Sequence, residues 1–216
     1  EDADLDAAIE AGVTSRLVVS GQVCISPKRF IVPASLQSRF EEALVARMKE
    51  AKMGDPAEED TVYGPLARAD LRDTVARQVE ESLQAGAKLL LGGDVAVDTG
   101  AFYPATVLSD VKPGMPAYDE EVFGPVAAIV FVANEAEALR VANDTPYGLG
   151  AVVYSRDVDR AERFAQQIEA GCCFVNSPVR SDPRLPFGGV KGSGYGRELG
   201  AQGIKEFTNT KTVYIA

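Results

Sequence analysis

Val126-Ala-Ala-Ile-Val-Phe-Val132 is an uninterrupted apolar run, entered through Gly124-Pro125 and left through Ala133-Asn134. A run of this length without polar alternation predicts a strand covered on both faces. The spacing after it predicts a helix over Glu135–Asn143, a strand over Ala151–Tyr154, a helix over Val158–Ile168 and a strand over Cys172–Val175. Strands alternating with helices make βα units, so the fold class is α/β with a mostly parallel sheet.

Working toward the N-terminus, Leu5, Ile9, Val13 and Leu17 recur four apart, with Asp2 or Asp4 placed to cap. They predict an amphipathic helix ending near Gly21. Arg29-Phe-Ile-Val32 reads as a strand closed by Pro33, and Ser35 as the cap of a helix with Leu36, Phe40, Leu44 and Met48 on one face. A Gly/Pro-rich loop, Asp55 to Pro65, precedes a helix with Leu71, Val75, Val79 and Leu83, stopped at Gly86. Lys88–Leu91 reads as a buried strand before the turn Gly92-Gly93-Asp94, and Phe102–Leu108 as extended chain interrupted by Pro104. Toward the C-terminus come a Gly/Pro-rich loop from Asn176 to Gly196, a short helix near Glu198–Ile204 and a terminal strand, Thr212–Ile215. No repeat, low-complexity tract or linker divides the chain, so residues 1–216 read as one domain.

With 46% hydrophobic and 25% charged residues, the 216-residue chain can bury one core. No stretch approaches the roughly 18 consecutive apolar residues of a membrane span. Net charge is −10. An acidic surface argues against nucleic acid and anionic membranes as partners, since both need cations to neutralise phosphates. The acidic opening Glu1-Asp-Ala-Asp4 has no apolar core of a signal peptide. It lacks an initiator Met and starts inside a helical pattern, so the chain is expected to be a fragment or a processed piece. Three cysteines, an odd and low number, fit a reducing, cytoplasmic setting. Histidine is absent, which excludes a Cys-His or Ser-His-Asp hydrolase and a His-ligated metal centre within this chain; no metal is expected.

Two segments invite a chemical reading. In Gly21-Gln-Val-Cys24 the glycine lets the backbone turn tightly and uncovers the thiol, with the Cys24 amide free to meet an oxyanion. The bland account is a small apolar residue in a turn. Cys172 and Cys173 lie within an apolar strand, where neighbours face opposite ways, and read as packing residues. Glu120-Glu-Val-Phe-Gly-Pro125 puts a carboxylate, Glu121, two residues from a flat ring, Phe123, on one side of the chain; that pair suits ribose hydroxyls and a stacked ring, or an acidic loop with one core Phe. Pro186-Phe-Gly-Gly-Val-Lys-Gly-Ser-Gly-Tyr-Gly-Arg-Glu198 fits neither the dinucleotide fingerprint, which needs Gly where Arg197 stands, nor the P-loop, since Gly192 follows Lys191. It reads as a structural loop pinned by Lys191, Arg197 and Glu198.

In order and approximate spacing, Gly-Gln-Val-Cys24, Glu121-Val-Phe-Gly-Pro125, Asn143 to Tyr147-Gly-Leu149 and Pro186 to Glu198 resemble the aldehyde dehydrogenase superfamily over essentially the whole chain. Val179-Arg-Ser-Asp-Pro-Arg-Leu-Pro-Phe-Gly-Gly189 and Gly194-Tyr-Gly-Arg-Glu-Leu199 are most similar to its succinate-semialdehyde group. The resemblance implies a three-layer αβα catalytic domain and a Cys24 thiolate that adds to an aldehyde. It implies NAD or NADP as hydride acceptor, with Glu121 on the nicotinamide ribose and Phe123 beside the cofactor. Arg180 and Ser181 are the implied substrate-binding residues, because Val18 stands where some semialdehyde enzymes carry the carboxylate-binding Arg. A C-terminal segment, 205–216, is implied to join a homo-oligomer, dimer or tetramer. The family's general-base Glu, its oxyanion Asn and its nucleotide-binding domain lie upstream of the matched stretch, and the usual Asn five residues before the thiol is Val19 here. On this reading the chain alone is inactive. A CoA-acylating dehydrogenase and a non-catalytic assembly unit are the alternatives.

Overall fold

The computed structural model describes residues 1–95 and 100–216. Of the two candidate caps, Asp4 is used: it accepts from the Ala7 amide at 3.1 Å and starts α1 (Leu5–Leu17). β1 (Arg29–Pro33) follows. α2 (Gln37–Lys49) buries Phe40, Leu44 and Met48, as their spacing requires. The Ser35 cap is not made. A cap residue needs non-helical backbone for its side chain to reach the next amides, whereas Ser35 already lies within a 3-10 turn, Ala34–Leu36. Its hydroxyl donates instead to Glu1 at 3.0 Å.

α3 (Ala69–Gln84) buries Val75 and Val79, and the chain turns at Gly86, φ 106°. β2 (Lys88–Leu91) corrects a second expectation: Lys88 and Leu89 are exposed. The strand sits at a sheet edge, so the apolar triplet after Lys88 covers the core only in part. β3 (Thr106–Ser109), α4 (Pro116–Asp119), β4 (Val126–Val132) and α5 (Glu135–Asn143) come next. Then follow β5 (Tyr147–Gly148), β6 (Gly150–Val153), α6 (Val158–Ala165), β7 (Cys172–Val175), β8 (Val190–Lys191) and α7 (Gly200–Lys205).

The main sheet has the order β1-β4-β3-β2, parallel except for β2. β4 lies inside it, and its period-2 geometry splits the apolar run between two cores. Val126, Ala128, Val130 and Val132 meet Val75 and Val79 of α3 and Val141 of α5. Ala127 and Ile129 meet Ile9, Val13 and Leu17 of α1 and Leu44 of α2. Two helical layers enclose one sheet, which is the three-layer arrangement. The remaining strands form separate pairs, β6 parallel to β7 and β5 antiparallel to β8. β6 and β1 both line a cleft of about 980 Å³ and share no ladder, so the sheet is not continuous.

Arg29, opening β1, ties the strand to α5. Its guanidinium donates to the carbonyls of Val141, Ala142 and Asp144 and stacks on Tyr118 at 5.0 Å. A cation is well placed there, against the carbonyls of a helix C-terminus. Within this chain residues 208–216, where a strand was expected at Thr212–Ile215, form no element, and Val213, Tyr214 and Ile215 are exposed. A strand needs a neighbour's ladder, and the chain folds none against this segment. Among the described residues, no helix is long and apolar enough to cross a membrane.

Candidate active site

Where α1 ends, three successive residues enter the left-handed region: Val19 (φ 49°), Ser20 (φ 57°) and Gly21 (φ 78°). The chain thereby reverses, and a turn closed by Ser26 N–H donating to the Val23 carbonyl at 3.0 Å presents Cys24. Cys24 is exposed, and its amide donates to no acceptor among the described residues. The loop is fastened on several sides. The Ser20 hydroxyl donates to the Gly64 carbonyl at 2.8 Å, the Ala67 amide to Gln22 at 2.9 Å, and the Ser26 hydroxyl to the Ser15 carbonyl at 2.9 Å.

Arg16 spans the loop from beneath. Fully buried, its guanidinium donates to the Gly21 carbonyl at 2.6 Å and to the Pro27 carbonyl at 3.0 Å, the two ends of the segment that carries the thiol. Burial pushes its pKa down to about 9, with the Glu121 carboxylate pulling the other way. Gly21 is required on two counts. Its φ is positive, and a Cβ there would lie 2.1 Å from the Gly124 carbonyl oxygen.

Val19 is a β-branched residue held at positive φ and 66% exposed. Left-handed backbone costs an L residue roughly 1–2 kcal/mol, less for Asn, whose side chain bonds locally. This gives a physical reason for the Asn expected at this position. Val19→Asn should raise the melting temperature by about 2–4 °C, the equivalent of about 1 kcal/mol in a chain of this size; an unchanged or lower midpoint in a thermal melt would contradict the strain.

The second loop reaches the same place from the other helical layer. Val122 is buried in the core beside α3, which turns its neighbours Glu121 and Phe123 to the opposite side. Glu120 is held by Arg77 at 2.9 Å and Gln78 at 2.7 Å, and these hydrogen bonds lower its pKa. Gln78 also donates to the Glu121 carbonyl at 3.2 Å. Gly124 lets the loop close on α3, since a Cβ there would lie 2.8 Å from Val75.

Lys28 joins the two loops. Its ammonium donates to the carbonyls of Cys24 and Ser26, each at 3.2 Å, pairs with Glu121 at 3.0 Å and lies 5.7 Å from the centre of the Phe123 ring. Burial lowers its pKa and Glu121 opposes that. The structure therefore brings together Cys24, Glu121 and Phe123. It places Arg180 and Ser181 differently: both are exposed, and the cleft wall reaches Pro178 and Val179 but stops short of them. Cys172 and Cys173 are half-buried in β7, and burial, then Cys172, pushes the Cys173 thiol up to about 11.

Around the Gly-rich loop the charged side chains are tied to neighbouring backbone and to each other. Lys191 donates to the Asn143 carbonyl at 2.8 Å and pairs with Glu169 at 2.6 Å, and Arg197 donates to the carbonyls of Gly189 and Gly196. Glu198 pins the loop through its backbone, exchanging two hydrogen bonds with Phe187. The Asn143 amide group bonds the Gln167 carbonyl and the Glu169 amide.

Residues 1–213 match the model of the aldehyde dehydrogenase family. The chain belongs to that family. It is 50% identical over 214 residues to succinate-semialdehyde dehydrogenase (NADP(+)) 1 of Mycobacterium tuberculosis, covering 99% of this chain and 47% of the relative. Against succinate semialdehyde dehydrogenase (NAD(P)+) Sad of Escherichia coli the identity is 47%, with 99% and 46% covered. Among solved structures, succinic semialdehyde dehydrogenase from Streptococcus pyogenes in complex with NADP+ superposes with a TM-score of 0.95 at 42% identity, over 100% of this chain and 47% of that one. The chain thus spans about half the length of the relatives it matches.

Within this member of the family, Arg16 and Lys28 are the site residues that sequence reading missed. A signal existed for Arg16: it shares the helical stripe of Ile9, Val13 and Leu17, and a charge on a core-facing stripe needs buried partners. Lys28, among polar and apolar loop residues, carried no comparable mark.

Proposed function

We propose that this chain supplies the thiol half of an enzyme that oxidises an aldehyde to its acid with NAD or NADP, Cys24 being the nucleophile. The observation that carries the reading is the exposed thiol on a clamped turn, bridged through Lys28 to an acidic-aromatic loop. Glu121 and Phe123 fit a nicotinamide riboside. A partly exposed carboxylate accepts from a ribose diol, and the neighbouring ring offers a flat face. A bound nicotinamide would supply the hydride acceptor.

On this reading the Cys24 thiolate adds to the carbonyl carbon, and the free Cys24 N–H donates to the oxyanion. Loss of hydride from the thiohemiacetal leaves a thioester on Cys24, which water hydrolyses to the acid and the restored thiol. The names of the relatives favour succinate semialdehyde as substrate and NADP as cofactor, and Arg180 and Ser181 are the proposed holders of the second carboxylate. Residues 1–216 form the catalytic domain, and the general base and nucleotide-binding domain belong to the part of the relatives' length outside the match. The exposed apolar residues Phe207, Val213, Tyr214 and Ile215 favour 205–216 as a segment that joins a homo-oligomer.

Limited alkylation by iodoacetamide, read peptide by peptide in a mass spectrometer, tests the nucleophile. Cys24 should label at least about tenfold faster than Cys172 and Cys173, because an accessible thiolate is the attacking species. Equal, slow labelling of all three would remove Cys24 from the mechanism.

A further inference from the structure

We propose that Lys28 is a positioning residue that locks the Cys24 turn to Glu121, so that the thiol and the cofactor-binding carboxylate are held as one unit. The proposal rests on the reading of Cys24 as nucleophile and Glu121 as a ribose acceptor, and adds a residue to it.

An ammonium has three donors and no acceptor. Lys28 Nζ meets three partners, and they come from two loops: it donates to two and forms an ion pair with the third. Two are main-chain carbonyls of the thiol turn, Cys24 and Ser26, and the third is Glu121 Oε1. The Lys28 side chain is only 19% exposed, whereas that of Glu121 is 37% exposed. The cation is thus built into the structure, and the carboxylate stands at its outer edge. With Oε1 on the ammonium, the partly exposed Glu121 carboxylate is left at the outer edge to accept from a hydroxyl. Arg16 fastens the same turn from below at Gly21 and Pro27, and Gly21 packs against the Gly124 backbone, so Lys28 is the side-chain link that ties the turn to the Glu121 carboxylate itself.

A merely structural lysine and a positioning one differ in measurable ways. The alkylation rate of Cys24 is read in the unaltered chain and in K28M, K28R, E121Q and K28M/E121Q, with neutral iodoacetamide and anionic iodoacetate. Cys172 and Cys173 serve as internal controls. K28M should slow Cys24 by about fivefold or more, and more with iodoacetate than with iodoacetamide, while K28R stays within about twofold of the unaltered chain. E121Q should change the rate by about threefold or more where Lys28 is present and by less than about 1.5-fold where it is not, because residues sharing a contact are not additive.

A Cys24 rate in K28M within about twofold of the unaltered chain, or independent effects of the two substitutions, would overturn the proposal. Where K28M loosens the whole fold, seen as faster Cys172 labelling, K28Q replaces it under the same criteria. The two failures are distinct. A Cys24 no faster than Cys172 in the unaltered chain removes the nucleophile reading, whereas a Cys24 equally fast in every variant removes only the role of Lys28.

Discussion

Replacing Cys24 with Ser in an aldehyde-oxidising protein that carries this chain should lower kcat by about 10⁴-fold or more while leaving the melting temperature within about 1 °C. The reasoning is chemical. A thiol yields an appreciable thiolate near neutral pH, but a serine hydroxyl needs a strong adjacent base to become a nucleophile. The chain has no histidine to provide one, and Lys28, which bonds the Cys24 carbonyl, is a donor. Without the covalent step there is no thiohemiacetal from which hydride can leave. The fold should not register the change, because Cys24 is exposed and the exchange replaces one small polar atom with another. The decisive measurement is single-turnover reduction of NAD(P) by enzyme and aldehyde, beside a thermal melt. A serine variant within about tenfold of the parent would mean that the carbonyl is attacked by something else.

The second large effect is structural and falls on the residue that lets the turn exist. Gly21→Ala should lower the melting temperature by roughly 6–20 °C, following from about 3–5 kcal/mol at about 2–4 °C per kcal/mol. An L side chain at φ 78° costs roughly 1–2 kcal/mol by itself. The new Cβ would lie 2.1 Å from the Gly124 carbonyl oxygen and 2.7 Å from Arg16 Nη2. Something must move, and neither neighbour is a free side-chain tip. The carbonyl belongs to the loop that closes on α3, and the guanidinium is buried and bonded to Gly21 itself. Breaking that 2.6 Å hydrogen bond from a charged donor costs about 1.5–3 kcal/mol more. Circular dichroism against temperature checks the fall. A decrease of less than about 3 °C would show that the turn rearranges freely and that Gly21 is not needed there.

Both effects concern a loop that sequence reading had reached, but for partial reasons. Gly21 was read as permission to turn sharply; that it is also wedged against Gly124 is a contact between distant parts of the chain. Glu121 and Phe123 were paired because alternate residues of an extended segment share a side, and the buried Val122 between them enforces that. Ser35 and Lys88–Leu91 show the opposite case. Ser35 has the chemistry of a cap but not its backbone, because the chain has already begun to coil when it leaves Pro33. The apolar triplet after Lys88 looked buried, but it belongs to a strand with a neighbour on one side only.

The order of residues alone determined what each segment prefers locally. Apolar side chains at periods near 3.6 or 2 have one way to leave water, and a seven-residue apolar run had to lie between two helical layers. It also marked the lone thiol after a glycine and the carboxylate two positions from a ring. Only the tertiary structure decided which strands became neighbours and where the sheet breaks. It also decided that Arg16 and Lys28 gather carbonyls and a carboxylate into one unit. Those partners are brought within 3 Å or so by the packing of α1, β1 and α3 about the sheet, and hydrogen bonds of that kind act only at contact distance, so no local pattern could announce them.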